Sequence, residues 1–358
     1  MNSGTGSTPM YKAVIMLAGV AILLLAMREA SEILAPIILA FVLAICTTPF
    51  LYWFMEKGLS GGLALIITIL IDLVIVVLIV WLVSMSLSNF SETISSYQGR
   101  IDEMEQQVGG VVDNLGIEQE DLTSEDSSLT MSLLGYAAGF AGGIVSGLSN
   151  WVTILMVGIF FLVEATVMPK KIESLTDESD PGLKWILNLN KGMRQYMVIN
   201  AGVGALAGVL NTILLYALGI EFAILWGLLS FFMSFIPSIG FLISVIPPAI
   251  MALLQFGPQQ MLIVIVAFIL INFLVDNVIK PRFIEEGVNI SVAVTFISLI
   301  IWAWVLGPIG AILAVPMSMV VQAIFDSRED TRWVAYLMGS GSEPYQKDEE
   351  QSQLSASE

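Results

Sequence analysis

The sequence predicts an all-α polytopic integral membrane protein, and three observations carry that expectation. Of its 358 residues, 56% are hydrophobic and only 13% charged, with a mean hydropathy of +0.86. Soluble domains carry about 25% charged residues. Several apolar runs reach the roughly 20 residues that cross about 30 Å of hydrocarbon. Two further pairs of shorter apolar arms, each broken by Pro and Gly, occupy the last third of the chain. The sum is about eight membrane segments, including two opposed Pro/Gly-broken helical hairpins, with a long amphipathic helix outside the membrane.

Composition closes off whole classes of chemistry. The chain has no histidine, which excludes HExxH zinc sites and Ser-His-Asp triads. Its one cysteine, Cys46, lies in an apolar run, so no intrachain disulfide and no cysteine-held metal is expected. A net charge of -17 is the opposite of a nucleic-acid footprint. Neither GxxxxGK[ST] nor GxGxxG occurs, which argues against ATP-driven work by this chain. Neither a catalytic residue nor a metal site is predicted.

The elements follow in order. Residues 1–10 are small and polar and read as a disordered tail. Residues 11–85 hold three spans: Tyr11 to Met27, Ile33 to Met55 with Pro36 and Pro49, and Leu63 to Met85 with Asp72 near its middle. An extramembrane insertion, 86–143, comes next. Residues 144–218 hold a fourth span near Ile144–Met168 and a fifth near Met197–Leu218. Between them the linker 169–195 reads as an amphipathic helix on the inner leaflet, with Asp180 as N-cap and Pro181 at its first position. The acidic tail, 326–358, reads as disordered beyond Gly339.

Residues 222–325 form a hairpin–span–hairpin core. Its first pair of arms, Phe222–Ile236 and Phe241–Phe256, flanks Pro237-Ser238-Ile239-Gly240. The second pair, Ser291–Leu306 and Ala311–Phe325, flanks Gly307-Pro308-Ile309-Gly310, and Met261–Ile279 lies between the pairs. The downstream sequences rhyme as well, PSIGFLISVIP ending at Pro247 and PIGAILAVP at Pro316. Irregular backbone at membrane depth survives only against protein or a water-filled cavity. Opposed broken hairpins are a transporter arrangement, in which exposed helix ends bind polar groups.

Lys and Arg set the orientation. With the N-terminus inside, twelve of the fourteen fall inside, and only Arg28 and Arg100 fall outside. Both termini are therefore expected in the cytoplasm, in the plasma (inner) membrane of the cell. The count does not decide whether each hairpin re-enters or crosses fully.

In the insertion, Leu87, Phe90, Ile94, Tyr97, Ile101, Met104, Val108, Val111 and Leu115 recur at alternating intervals of three and four. That is a heptad seam continuous with the third span. Two readings stay open: a subunit-contact stalk building a homo-oligomer, or an intrachain hairpin with Leu129–Ala138.

Carboxylates inside a membrane are costly and so are functional candidates. Asp276 stands on a polar face, Asn272-Asp276-Lys280, with Asn277 adjacent; pairing with Lys280 is its structural alternative. Asp72 is a second candidate, with a structural hydrogen bond as its alternative. Glu164 sits near the inner end of its span and reads as interfacial. Asn200 and Asn211 read as interhelical glue, and Gly202, Gly204 and Gly208 as close-packing positions. Backbone at Pro237, Ser238 and Gly240, and at Gly307, Pro308 and Gly310, would line a polar path beside Asp276, Asn272 and Asn277.

The stretches SFIPSIGFLISVIPPAIMALL at 234–254, DNVIKPRF at 276–283 and ISLIIWAWVLGPIGAILAVPM at 297–317 resemble the autoinducer-2 exporter family. Pro36, Pro49 and Lys57-Gly58-Leu59 fit its N-terminal pattern more loosely. The likeness covers most of residues 10–325 and is specific from about residue 230. It implies an oligomeric secondary transporter with no hydrolysed cofactor, coupled to Na+ or H+ if coupled at all. Members are associated with export of a furanone-type signal and others with sodium/proton antiport. The partners expected are thus the lipid bilayer, a small-molecule or ion substrate, and further copies of the chain. A rival of another class is a non-transporting oligomeric membrane scaffold.

Overall fold

A computed structural model describes residues 9–114, 151–175, 181–237, 239–282, 290–327 and 329–341. All regular structure among them is helical. The helices are α1 (Pro9–Glu29), α2 (Ser31–Glu56), α3 (Gly61–Asn114), α4 (Trp151–Leu175), α5 (Pro181–Ala217) and α6 (Ala223–Met233). They continue with α7 (Gly240–Phe256), α8 (Pro258–Leu274), α9 (Val292–Ile312), α10 (Ala314–Asp326) and α11 (Arg332–Met338). A bilayer core offers no water to backbone N–H and C=O groups, so apolar runs of this length satisfy them within a helix.

Among the described residues, six stretches are long and apolar enough to cross a membrane: Ser31–Glu56, Gly61–Ser86, Trp151–Met168, Leu189–Ala217, Pro258–Arg282 and Val292–Ile312. Helices α6, α7 and α10 are shorter and apolar. The chain is a multi-pass membrane protein. Leu70, Val74, Val77 and Trp81 on α3 are exposed apolar side chains, as lipid-facing positions should be.

Two helices run on past the ends of their spans, α3 as its continuous seam suggests. Helix α3 continues without a break from the third span to Asn114, 54 residues in all. Side chains of the expected heptad seam, and the stretch 129–138, lie outside the described residues. Helix α5 likewise runs unbroken from Pro181 through the fifth span.

The chain divides into two compact units. One comprises Met1–Ala35, Met168–Tyr196 and Glu286–Glu358; the other comprises Pro36–Val167 and Met197–Glu285. In the second unit, α2 and α4 are tied by the Tyr52 hydroxyl, which donates to Ala165 O at 3.0 Å, and by Phe41 edge-on to Phe161 at 5.1 Å. Leu51, Leu162, Leu215, Trp226, Met251, Leu254 and Phe268 are its fully buried large side chains. Thr68, Ser230 and Ser244 are buried too, and each hydroxyl donates to a carbonyl of its own helix. That back-bonding makes a hydroxyl tolerable in an apolar core.

In the first unit α9, α10 and α11 pack in sequence and α1 lies along α9. The Ser291 N–H donates to Met338 O at 2.8 Å, and the Gln322 side chain donates to Ala335 O at 3.1 Å, so α11 closes over the ends of the hairpin.

Candidate functional site

The two Pro/Gly tips share one construction, each within its own unit. At the first, α6 ends at Met233 and α7 begins at Gly240. The Ile236 N–H turns back to Met233 O at 2.9 Å, and the Gly240 N–H donates to Ile236 O at 3.0 Å. A Cβ on Gly240 would overlap the Met233 carbonyl, so this turn closes only around glycine. At the second, Gly307 takes φ 66 and ψ -150, which breaks α9 after a first arm of Val292–Leu306. A Cβ on Gly310 would overlap the carbonyl of Trp302 on that arm. The break comprises two steps, because buried Leu313 separates the single turn Pro308–Ile312 from α10. The second arm therefore starts at Ala314, three residues later than the sequence suggests.

Each tip is followed by proline one or two turns on, Pro247 and Pro248 in α7 and Pro316 in α10, all buried. Proline lacks an N–H and frees a carbonyl in the preceding turn. Gly240 and Gly310 are buried, Pro237 and Gly307 half-buried, and Pro308 exposed. Ser238 lies outside the described residues.

The span after the first hairpin does not stay α-helical. Helix α8 stops at Leu274, and Val275–Ile279 form a π turn in which the Lys280 N–H reaches Val275 O, five residues back. A 3-10 turn at Lys280–Arg282 follows. Pro281 accounts for the change, since its ring collides with the carbonyl four residues earlier in an α-helix. Isolated π turns recur at functional sites, and this one carries both Asp276 and Asn277.

Asp276 is exposed on that turn, and Lys280 attracts it across the turn. The spacing Asn272-Asp276-Lys280 is thus not that of one α-helical face. Both amides turn onto their own helix, Asn272 donating to Phe268 O at 2.8 Å and Asn277 to Phe273 O at 3.1 Å. Ile271, Val275 and Ile279 hold the turn against Ile199, Val203, Ala207 and Leu210 of α5. Helices α7 and α8 have 17 residues each and pack together about the Gly257 turn. At 1.5 Å per residue each is about 25 Å long.

Asp72 stands apart from this group. It is half-buried on α3, and its neighbour is Thr47 of α2, within hydrogen-bonding reach. The Thr47 hydroxyl also faces Leu43 O at 3.1 Å. Asp72 and Asp276 therefore sit in separate polar surroundings.

Membrane-crossing helices, two glycine-closed breaks and a carboxylate on a π turn define the class: a helical membrane transport protein. The chain belongs to the AI-2E family transporter family, whose model matches residues 13–329. It is similar to the AI-2 transport protein TqsA of Escherichia coli (strain K12), with 28% identity over 330 residues covering 91% of this chain and 95% of that protein. It is also similar to the "Putative transport protein YhhT" of the same strain, at 23% over 325 residues, covering 91% and 93%. A Haemophilus influenzae relative of the same description is 28% identical over 339 residues, covering 92% of this chain and 97% of its own.

Proposed function

We propose that this chain is a secondary transporter that moves a small solute out of the cell, with autoinducer-2 as the first solute to test. The observation that carries the reading is the pair of glycine-closed tips. Each interrupts a helix inside the apolar part of the chain, the kind of break at which discontinuous transporter helices hold cargo with backbone polar groups. The residues proposed to meet cargo are Pro237, Ser238 and Gly240 at the first tip and, in the other unit, Gly307, Pro308 and Gly310 at the second. In the unit that holds the first tip, Asp276, with Asn272 and Asn277, is the charged point. The name of the TqsA relative supports the choice of cargo.

The reading places the protein in the inner membrane with both termini in the cytoplasm, as the Lys and Arg distribution favours. It also takes the outer part of α3 as the contact through which copies of the chain assemble. A second reading, cation/proton antiport, is favoured by Asp276, an exposed carboxylate on a π turn; Asp72 is the alternative ion-binding group.

Purified chain in sealed vesicles, screened for uptake of autoinducer-2 and related solutes under imposed Na+ and pH gradients, tests these readings together. Solute flux above protein-free vesicles is expected. Sodium-dependent collapse of a pH gradient without solute flux would favour antiport. No flux of either kind would leave the scaffold.

A further inference from the structure

Asn211 of α5 is fully buried, and neither its Nδ2 nor its Oδ1 has a hydrogen-bond partner among the described residues. Leaving both ends of an amide unmatched in an apolar interior costs about 1–3 kcal/mol per group. A leucine of similar size would avoid that cost, so packing does not explain the amide.

Its place on the helix shows what it faces. Gly204, Gly208 and Thr212 mark the side of α5 that meets α6. A Cβ on Gly208 would lie 2.7 Å from Gly227 O, one on Gly204 would lie 2.9 Å from Ser234 Cβ, and one on Gly227 would overlap the Thr212 hydroxyl. Val203 and Ala207 mark the side that meets Val275 of the π turn. With about 100° between successive residues, these two sides are about 120° apart and Asn211 points between them. It therefore looks into the angle between the first arm of the hairpin and the turn that carries Asp276.

We propose that Asn211 is a solute-binding residue for a small uncharged molecule bearing hydroxyl or carbonyl groups, held between α5, α6 and the π turn. An amide presents donors and an acceptor together, the complement of a hydroxyl. Asn200, Thr212, Ser230 and Ser234 on these helices are neutral, and the carboxylate of the π turn, Asp276, is exposed whereas Asn211 is buried, which suits a neutral solute. The inference rests on the transport reading and names the chemical class of its cargo.

The test is equilibrium dialysis of labelled erythritol and ribose against the detergent-solubilised full chain, with melting temperatures measured in parallel. Asn211→Leu should melt at or above wild type without solute and bind both probes at least about tenfold more weakly, as expected for loss of one good hydrogen bond. Asn211→Ala carries the same comparison if the leucine variant does not fold. Unchanged binding in either folded variant, or no binding of either probe by wild type, would overturn the proposal. A clearly lower melting temperature in both variants would also overturn it, because the amide would then be held by a structural bond or an internal water. Dialysis needs no flux. Binding without transport in vesicles would sink the transport reading alone, and transport indifferent to Asn211 would sink this site alone.

Discussion

The guanidinium of Arg28 lies 4.5 Å from the ring centroid of Trp304. Arg28 is one residue from the end of α1, and Trp304 is three residues before the break at Gly307. Helix α1 has 21 residues, about 31 Å at 1.5 Å per residue, enough to span the hydrocarbon. The tip of the second hairpin therefore lies level with the end of α1.

That depth is testable by labelling single cysteines in a Cys46→Ser background. Pro308→Cys should react with an impermeant maleimide from the outside, on the same face as Arg28→Cys. Ser174→Cys should react only from inside. Reaction of the residue-308 thiol from the inside, or protection from both sides, would refute the depth argument.

The glycine-closed tips predict a selective sensitivity. Gly240→Ala and Gly310→Ala each push a methyl into a backbone carbonyl, and should destabilise by about 2–3 kcal/mol, in the range of overpacked cores. Gly62→Ala, where nothing lies within 4 Å, is the control and should be neutral or slightly stabilising. Thermal unfolding in detergent reads the difference. Equal midpoints in all three would contradict the tip geometry.

These tips were largely legible beforehand, because Pro and Gly interrupt an apolar run in a way few other residues do. The spans were legible for the same reason, as runs of apolar residues matched to a bilayer. The π turn was not read, although Pro281 signalled it by its clash with the carbonyl of Asn277. The close approach of Gly208 to Gly227 depends on how α5 and α6 pair, which a linear pattern does not contain. The missing partners of Asn211 are invisible to sequence for the same reason, since the residue looks like ordinary interhelical glue until its neighbours are known.

Pro281→Ala tests the π turn itself. It restores an N–H and removes the ring clash, so Val275–Ile279 should relax toward α-helix and redirect Asp276. Stability should rise slightly while gradient-driven flux falls. Unchanged flux, with the turn shown to have become α-helical, would mean that the π geometry does not matter for transport.

Assembly through the outer part of α3 is tested by placing charge in the proposed seam. Ile94→Glu with Ile101→Glu should lower the oligomer mass measured by light scattering, because a heptad core penalises desolvated charge. An unchanged mass would favour an intrachain partner for this helix.

The central claim is coupled movement of solute past the carboxylate on the π turn, and one side-by-side measurement addresses it most directly. Gradient-driven uptake is recorded in vesicles carrying wild-type chain or Asp276→Asn, which keeps side-chain size and removes the charge. The account predicts uptake in the wild type and its loss in the variant, with folding and oligomer mass unchanged. If Asp276 only balances Lys280, uptake falls modestly and Lys280→Gln partly restores it. Full, still gradient-driven uptake in Asp276→Asn would contradict the account and move the search to Asp72 and Thr47.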